Sequence, residues 1–345
     1  MTMQENRNSV QPDQKPKVAI IVTGGTILST YDPQTKQIRP VKTGEQLLSE
    51  LPSLKDQYHI ELITFSNMPS PHLTPQIGLE LAGTITDTLR RPDISGVVVL
   101  QGTDTLEEMS YLCYLLVDAE KPVVFTGSMK STHELYADSL GNLYGAVCVA
   151  TSEEARNRGV MVYFNQNILS PRYVMKTNAN NVASFRAPET GPIGAVTNEQ
   201  IYFFHPPTAQ PKHDRPETLT SNVQLIKVAC GADDLLLRAC IAQKVDGIVI
   251  EGFGAGNIPP GLIPALREAI ACEIPVVVVS RCIEGFAGST YDYVGGGAQL
   301  KELGVICGQN LGGLRARLKL MVLHSTNSDL GYIRRGFSED QCAGG

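Results

Sequence analysis

No two of the eight cysteines form a C-x-x-C pair, so zinc-ribbon and dithiol chemistry have no support. The thiols are scattered and mostly fall inside apolar segments, which predicts buried, reduced cysteines in a cytoplasmic protein. No stretch reaches the ~18 apolar residues that a membrane span requires. The apolar run opening at Val18 breaks at Gly24, too soon for a signal peptide. Basic clusters are missing as well. A net charge of −6, from 29 Lys and Arg against 35 Asp and Glu, leaves no electrostatic footprint for nucleic acid or an anionic bilayer. Histidine, the usual catalytic base, occurs six times. None stands beside a Ser or Thr in a nucleophile elbow, and G-x-S-x-G does not occur. What remains is ordinary globular composition, 42% hydrophobic and 19% charged, in a 345-residue chain long enough for two domains.

Short β-branched runs alternate with amphipathic stretches, which predicts an α/β fold. Strands are expected at 17–23, 59–65, 96–100, 122–126 and 160–164, with more strand between 193 and 204. Helices are expected at 44–51, 74–90, 106–118 and 137–150, and residues 30–40 read as a polar hairpin or flap. Thr74-Pro75 is a helix start, an N-cap followed by Pro at the first helical position. Residues 205–218 hold four prolines and little that can be buried, so they read as an interdomain linker. Alternation then restarts, with strands at 223–228, 247–251 and 275–280, helices at 233–243 and 263–272, a last helix at 314–324 and a frayed tail after Ile333. The expected architecture is an N-terminal tail at 1–16 and two domains, 17–204 and 219–345. Each is built around a mainly parallel sheet, and the Pro-rich linker joins them.

In open parallel sheets ligands bind beyond the carboxyl ends of the strands, and two polar clusters fall there. Thr23-Gly24-Gly25-Thr26 follows the first strand, and Gln101-Gly102-Thr103-Asp104-Thr105 follows the one at 96–100. Paired glycines turn the backbone tightly and expose N–H groups, and the threonine hydroxyls supply nucleophiles or ligand donors. The plain alternative is that both are helix-capping turns. A hydroxyl needs a base, and a lysine can replace histidine when its surroundings leave a fraction neutral. Lys176, in a polar segment after the strand at 160–164, is the candidate; otherwise it is a solvated loop lysine. Gly252–Asn257 superficially resembles a dinucleotide fingerprint, but its third glycine comes too early. Gly295-Gly296-Gly297 reads as a loop permitting close subunit approach.

The segments TGGTI (23–27), QGTDT (101–105) continuing as Leu106-Glu107-Glu108, VFTGS (124–128) and KTNANNVASF (176–185) occur in this order. With Gly191-Pro192-Ile193-Gly194, their spacing resembles the bacterial-type L-asparaginase/glutaminase family over residues 17–324, nearly the whole chain. The lysine segment looks more like the type II branch, although that branch is often exported. The resemblance implies an amidohydrolase acting on a small amino acid in two steps, acylation of a threonine with loss of ammonia and then hydrolysis of the ester. It assigns the nucleophile to Thr26, and the second threonine, the aspartate and the lysine to Thr103, Asp104 and Lys176. Ser70 would bind the substrate α-carboxylate and Asp104 the α-ammonium. The chemistry needs neither metal nor organic cofactor. The implied assembly is a homodimer or homotetramer with sites between subunits, in which Asn257 comes from a neighbour.

Several positions depart from that pattern. No tyrosine occupies the family's flap position near Ile38-Arg39, and Tyr31 is the candidate replacement. Gln101 stands where many relatives have histidine, and Pro71 where type II members have a glutamine. The intersubunit glutamate falls within Tyr291-Asp292-Tyr293, so Asp292 or a tyrosine would have to substitute. Two rival readings remain. One is the ammonia-producing subunit of a transfer-RNA amidotransferase, which normally carries an additional N-terminal domain, whereas sixteen residues precede the first strand here. The other is a catalytically dead amino-acid sensor, which would need neither both hydroxyls nor the lysine.

Overall fold

The computed structural model describes residues 15–25, 27, 29–32, 34–35, 37–40, 43–132, 134–208, 213–220 and 222–339, with backbone alone at 29–32 and 37–40. From the N-terminus come β1 (Lys17–Val22), a hairpin of β2 (Ser29–Asp32) and β3 (Gln37–Pro40), helices α1 (Gly44–Ser49) and α2 (Pro52–Gln57), and β4 (His59–Thr64). Then α3 (Pro75–Leu89), β5 (Gly96–Leu100), α4 (Leu106–Leu116), β6 (Val123–Thr126), α5 (Ser139–Thr151) and β7 (Val160–Phe164) alternate. Short strands follow: β8 (Asn167–Leu169), β9 (Met175–Lys176), β10 (Phe185–Arg186), β11 (Gly194–Thr197) and β12 (Gln200–Phe203). The rest comprises β13 (Val223–Lys227), α6 (Leu235–Ala242), β14 (Gly247–Gly252), α7 (Ile263–Ala271), β15 (Val276–Ser280), α8 (Gly297–Glu302), β16 (Ile306–Cys307), α9 (Gly313–Thr326) and α10 (Leu330–Glu339).

The first sheet has the order β12-β11-β8-β7-β6-β5-β1-β4. Strands β4, β1, β5, β6 and β7 are mutually parallel, and β8, β11 and β12 extend the sheet by antiparallel pairing. The second sheet, β13-β14-β15-β16, is wholly parallel. Its centre and that of the first sheet are apolar runs such as GVVVL in β5 and VVVVS in β15, buried at every residue, as strands covered on both faces require. Helix α3 starts where Thr74 caps it, its side chain accepting the Ile77 N–H at 3.3 Å, with Pro75 in the first turn.

Side chains alternate along β1 between two cores. Ala19 and Ile21 enter one, and Val18, Ile20 and Val22 enter the other. The first of these cores also contains Val223, Val249 and Val277 from the second sheet, with Leu318, Leu320 and Val322 of α9. The two sheets therefore share one apolar core, bridged where α4 packs on α9.

The structure corrects two expectations and adds to two others. Of the tail after Ile333, the part up to Glu339 belongs to helix α10, because Ile333 and Phe337 are buried in the shared core, and residues 340–345 lie outside the described residues. Only Cys113, Cys148 and Cys240 among the described cysteines are buried; Cys230, Cys272, Cys282 and Cys307 are exposed, lying at element ends rather than inside them. Gly295, Gly296 and Gly297 serve close packing within the chain. A Cβ on each would approach a backbone oxygen of Ile258, Tyr291 or Gly288 to 2.1, 2.5 or 1.9 Å. The lysine segment forms a hairpin, with Lys176 in β9, Phe185 in β10 and residues 177–184 as the connecting loop. Among the described residues no helix is long and apolar enough to cross a membrane.

Candidate active site

Four neighbouring strands end level with one another. Thr64, Val22, Leu100 and Thr126 pair in register across β4, β1, β5 and β6, so the residues just beyond them meet. Strand β1 has β4 on one side and β5 on the other, the reversal of strand order that opens a crevice at the carboxyl edge. Into it come the turn after β1, the Ser70 turn after β4, and the Gly102–Thr105 turn after β5.

Glycine makes the meeting possible. Gly24 and Gly25 have φ of +121° and +104°, a region that favours glycine. A Cβ on Gly25 would lie 2.3 Å from the Gly102 Cα, and one on Gly102 would lie 2.8 Å from the Ser70 Oγ. The three segments are thus packed backbone to backbone. Thr23 fastens the first turn, its N–H and hydroxyl both donating to the Leu100 carbonyl at 3.0 Å.

The Asp104 N–H donates to the Ser70 Oγ at 3.2 Å, and the Thr105 hydroxyl donates to the Ser70 carbonyl at 3.0 Å. Gln101 Nε2 donates in turn to Thr105 Oγ1 at 3.3 Å. Lys176 reaches the same place from β9. Its Nζ donates to Thr103 Oγ1 at 2.9 Å and to Asp104 Oδ1 at 2.6 Å. The lysine side chain is 15% exposed, whereas that of Asp104 is 58% exposed, so the carboxylate faces outward. Accepting a hydrogen bond from the lysine leaves the Thr103 hydroxyl hydrogen available to another acceptor.

Lys176 is placed by the hairpin. It pairs with Phe185, whose ring lies 4.6 Å from that of Phe164. The asparagines of the segment close the turn rather than face a ligand: Asn178 Oδ1 accepts the N–H groups of Asn180 and Asn181, and Asn181 Oδ1 that of Ala183. Behind β9 lies Glu107, one turn into α4, with its carboxylate towards the Lys176 backbone N–H. Burial pushes this carboxyl up, opposed by Arg315 and by that N–H. Burial likewise pushes the Arg315 guanidinium down, opposed chiefly by Glu107.

The structure brings Ser70, Thr103, Asp104 and Lys176 together. Thr26 lies outside the described residues, between Gly25 and the buried Ile27. Tyr31 is opposite Ile38 in the β2–β3 hairpin, with only its backbone described. Asn257 does not join the cluster within one chain. It sits in a tight loop after β14, bonded through its backbone to Phe253, with its Oδ1 buried and unpaired. Asp292 and its tyrosine neighbours follow in the exposed loop before α8. Sequence reasoning missed Thr105, and Glu107 and Arg315 as its supports; the Glu107 position was inside a quoted motif, but nothing local marked Arg315. Among the described residues no group of His, Cys, Asp and Glu is arranged to hold a metal.

Comparison with known proteins is consistent along the chain. The family described as "Asparaginase, N-terminal" matches residues 17–209, and "Glutaminase/Asparaginase C-terminal domain" matches residues 222–337. A probable L-asparaginase of Deinococcus radiodurans is 36% identical over 95% of this chain and 99% of its own length. The L-asparaginase of Bacillus licheniformis is 34% identical, covering 89% and 95%. The crystal structure of a probable cytoplasmic L-asparaginase from Campylobacter jejuni superposes with a TM-score of 0.84 at 30% identity, over 94% of this chain and 99% of the other. With the two threonine turns packed against each other and one lysine joining Thr103 to Asp104, and with both halves matched, the chain belongs to the asparaginase family.

Proposed function

We propose that the chain is an L-asparaginase, an amidohydrolase that converts L-asparagine to L-aspartate and ammonia. The observation that carries this reading is Lys176 Nζ within hydrogen-bond distance of both Thr103 Oγ1 and Asp104 Oδ1. Thr26 Oγ1 attacks the side-chain carbonyl carbon, forming a C–O bond; the C–N bond breaks and ammonia leaves. Water then hydrolyses the β-aspartyl ester and regenerates the hydroxyl. Lys176 accepts a proton from Thr103 or from that water, and Asp104 orients the lysine. Tyr31 assists Thr26 in place of the missing flap tyrosine.

Substrate recognition uses both ends of a free amino acid. The outward Asp104 carboxylate takes the α-ammonium. The Ser70 hydroxyl, which accepts from the Asp104 N–H and so keeps its own proton to donate, takes the α-carboxylate. No metal or organic cofactor enters these steps. The proposal extends to a cytoplasmic homodimer or homotetramer that binds no nucleic acid, in which Asn257 of a neighbouring subunit completes the pocket. It also extends to a catalytic domain at 17–204, a linker at 205–218 and a second domain at 219–345.

The test is kcat/KM for ammonia release from L-asparagine, L-glutamine and N-acetylasparagine. Blocking the ammonium removes its charge-assisted contact with Asp104, so N-acetylasparagine is expected to fall at least ~100-fold below asparagine. Glutamine differs by one methylene, worth ~1–3 kcal/mol, and is expected to be the poorer substrate without being excluded. Comparable turnover of asparagine and its N-acetyl form would sink the Asp104 assignment.

A further inference from the structure

Strand β9 is short and has a partner on one edge only. Its Met175 and Thr177 side faces β10, where the Thr177 N–H donates to the Ser184 carbonyl at 2.7 Å. In an extended chain residues two apart present their backbone groups to the same side, so the Val174 carbonyl and the Lys176 N–H face away from β10. An edge of this kind leaves polar groups that need partners when buried. Here a pair of opposite charges supplies them. Arg315 Nη1, from α9, donates to the Val174 carbonyl at 2.8 Å. The Glu107 carboxylate, from α4, lies towards the Lys176 N–H on that same edge. The two side chains approach to 3.8 Å and are only 8% and 13% exposed.

We propose that Arg315 and Glu107 are positioning residues for Lys176, a clamp that stands in for a missing strand and sets the lysine's reach to Thr103 and Asp104. Glu107 is built into the helix that begins directly after the Thr103–Thr105 turn, so it gauges β9 against the groups Lys176 must touch. Arg315 belongs to the helix that packs under the second sheet, so the C-terminal half helps build the site within its own chain. The inference rests on the asparaginase reading for its catalytic consequence, but the clamp itself can be tested without it.

Two measurements separate the questions. The first compares Arg315→Gln with Arg317→Gln. Arg317 lies on the same helix, is near Glu108 and donates to the Val223 carbonyl of β13 rather than to β9. For asparagine hydrolysis, Arg315→Gln is expected to lose about 100-fold in kcat, the scale of a misplaced catalytic group, with a much smaller change in KM. Arg317→Gln should keep kcat within a few-fold even if its thermal midpoint drops as far, and Arg315→Lys should recover part of the loss. Equal kcat losses in the two glutamine variants, or none in Arg315→Gln, would overturn the inference and leave the asparaginase reading intact. The second measurement is hydrogen exchange in the full chain. In Glu107→Ala the Lys176 amide should exchange at least about tenfold faster, while amides of β5 and β14 stay as in the unmodified protein. Unchanged protection at Lys176 would overturn the clamp. If the unmodified protein releases no ammonia from any amide substrate, the functional reading fails and the exchange result alone judges the clamp. Should Arg315→Gln fail to fold, Glu107→Gln answers the kinetic question, because it keeps an acceptor for the Lys176 N–H and removes only the charge facing Arg315.

Discussion

At the scale of the residue, the site turns on what a lysine ammonium can do that a guanidinium cannot. Lys176 bonds Thr103 and Asp104 together, a role that a fixed cation could fill, but proton acceptance also requires a neutral amine. Arginine keeps the charge and does not deprotonate near neutral pH. Lys176→Met is expected to lose ~10²- to 10⁴-fold in kcat, and Lys176→Arg should fall almost as far. Steady-state ammonia release from variants of matched thermal stability makes the comparison, and near-normal kcat in the arginine variant would reduce Lys176 to an electrostatic part. The residues proposed to react were legible because each sits in a short motif of distinctive order. Their supports were not. Arg315 meets Val174 across 141 positions of sequence, and the arginine's surroundings in α9 carry no mark of that contact.

At the scale of the element, the strand–turn units reach the same place because β1, β4 and β5 are parallel, adjacent and in register. That convergence requires backbones to touch at Gly25 and Gly102. Gly25→Ala adds a methyl 2.3 Å from a Cα at a φ of +104°, so the turn must move. The strained φ alone costs ~1–3 kcal/mol, and displacement of Thr103 is expected to lower kcat by about 100-fold. Gly141→Ala is the contrast, because the added methyl meets nothing within 4 Å in helix α5 and should be neutral or slightly stabilising. Thermal unfolding and kcat on the two variants decide it; equal behaviour would mean the turns do not depend on that contact. Parallel strands such as β5 were readable from unbroken β-branched runs. The β9–β10 hairpin was not, since two-residue strands carry no periodicity.

At the scale of the whole molecule, the shared core and the α4–α9 contact make the two sheets one packing unit. The Pro-rich segment and the residue just after it are tied to the first half, with the His213 backbone N–H donating to the Leu115 carbonyl and the Leu219 N–H to Gln76 Oε1. Asn257 stands apart from the Lys176 cluster in its own loop. If it completes a neighbour's pocket, Asn257→Ala and Thr103→Ala chains, each impaired alone, should recover activity when co-expressed. A mixed assembly contains sites with both residues intact. Light scattering on the eluting peak would establish the assembly. Oligomers that form but show no recovery would place Asn257 outside the site.

By itself the sequence determined the α/β class and the positions of most parallel strands, which rest on burial patterns and turn chemistry that act over a few residues. Ser70, Thr103, Asp104 and Lys176 were candidates through motifs and the family resemblance those motifs carry. Tertiary structure alone decided that the strand ends align and that β9 is clamped by a buried ion pair from two helices. It also decided that the presumed frayed tail becomes a helix, because Ile333 and Phe337 find the shared core. Those outcomes depend on contacts between segments far apart in the chain, where the stabilising partner is not a neighbour and no local pattern records it.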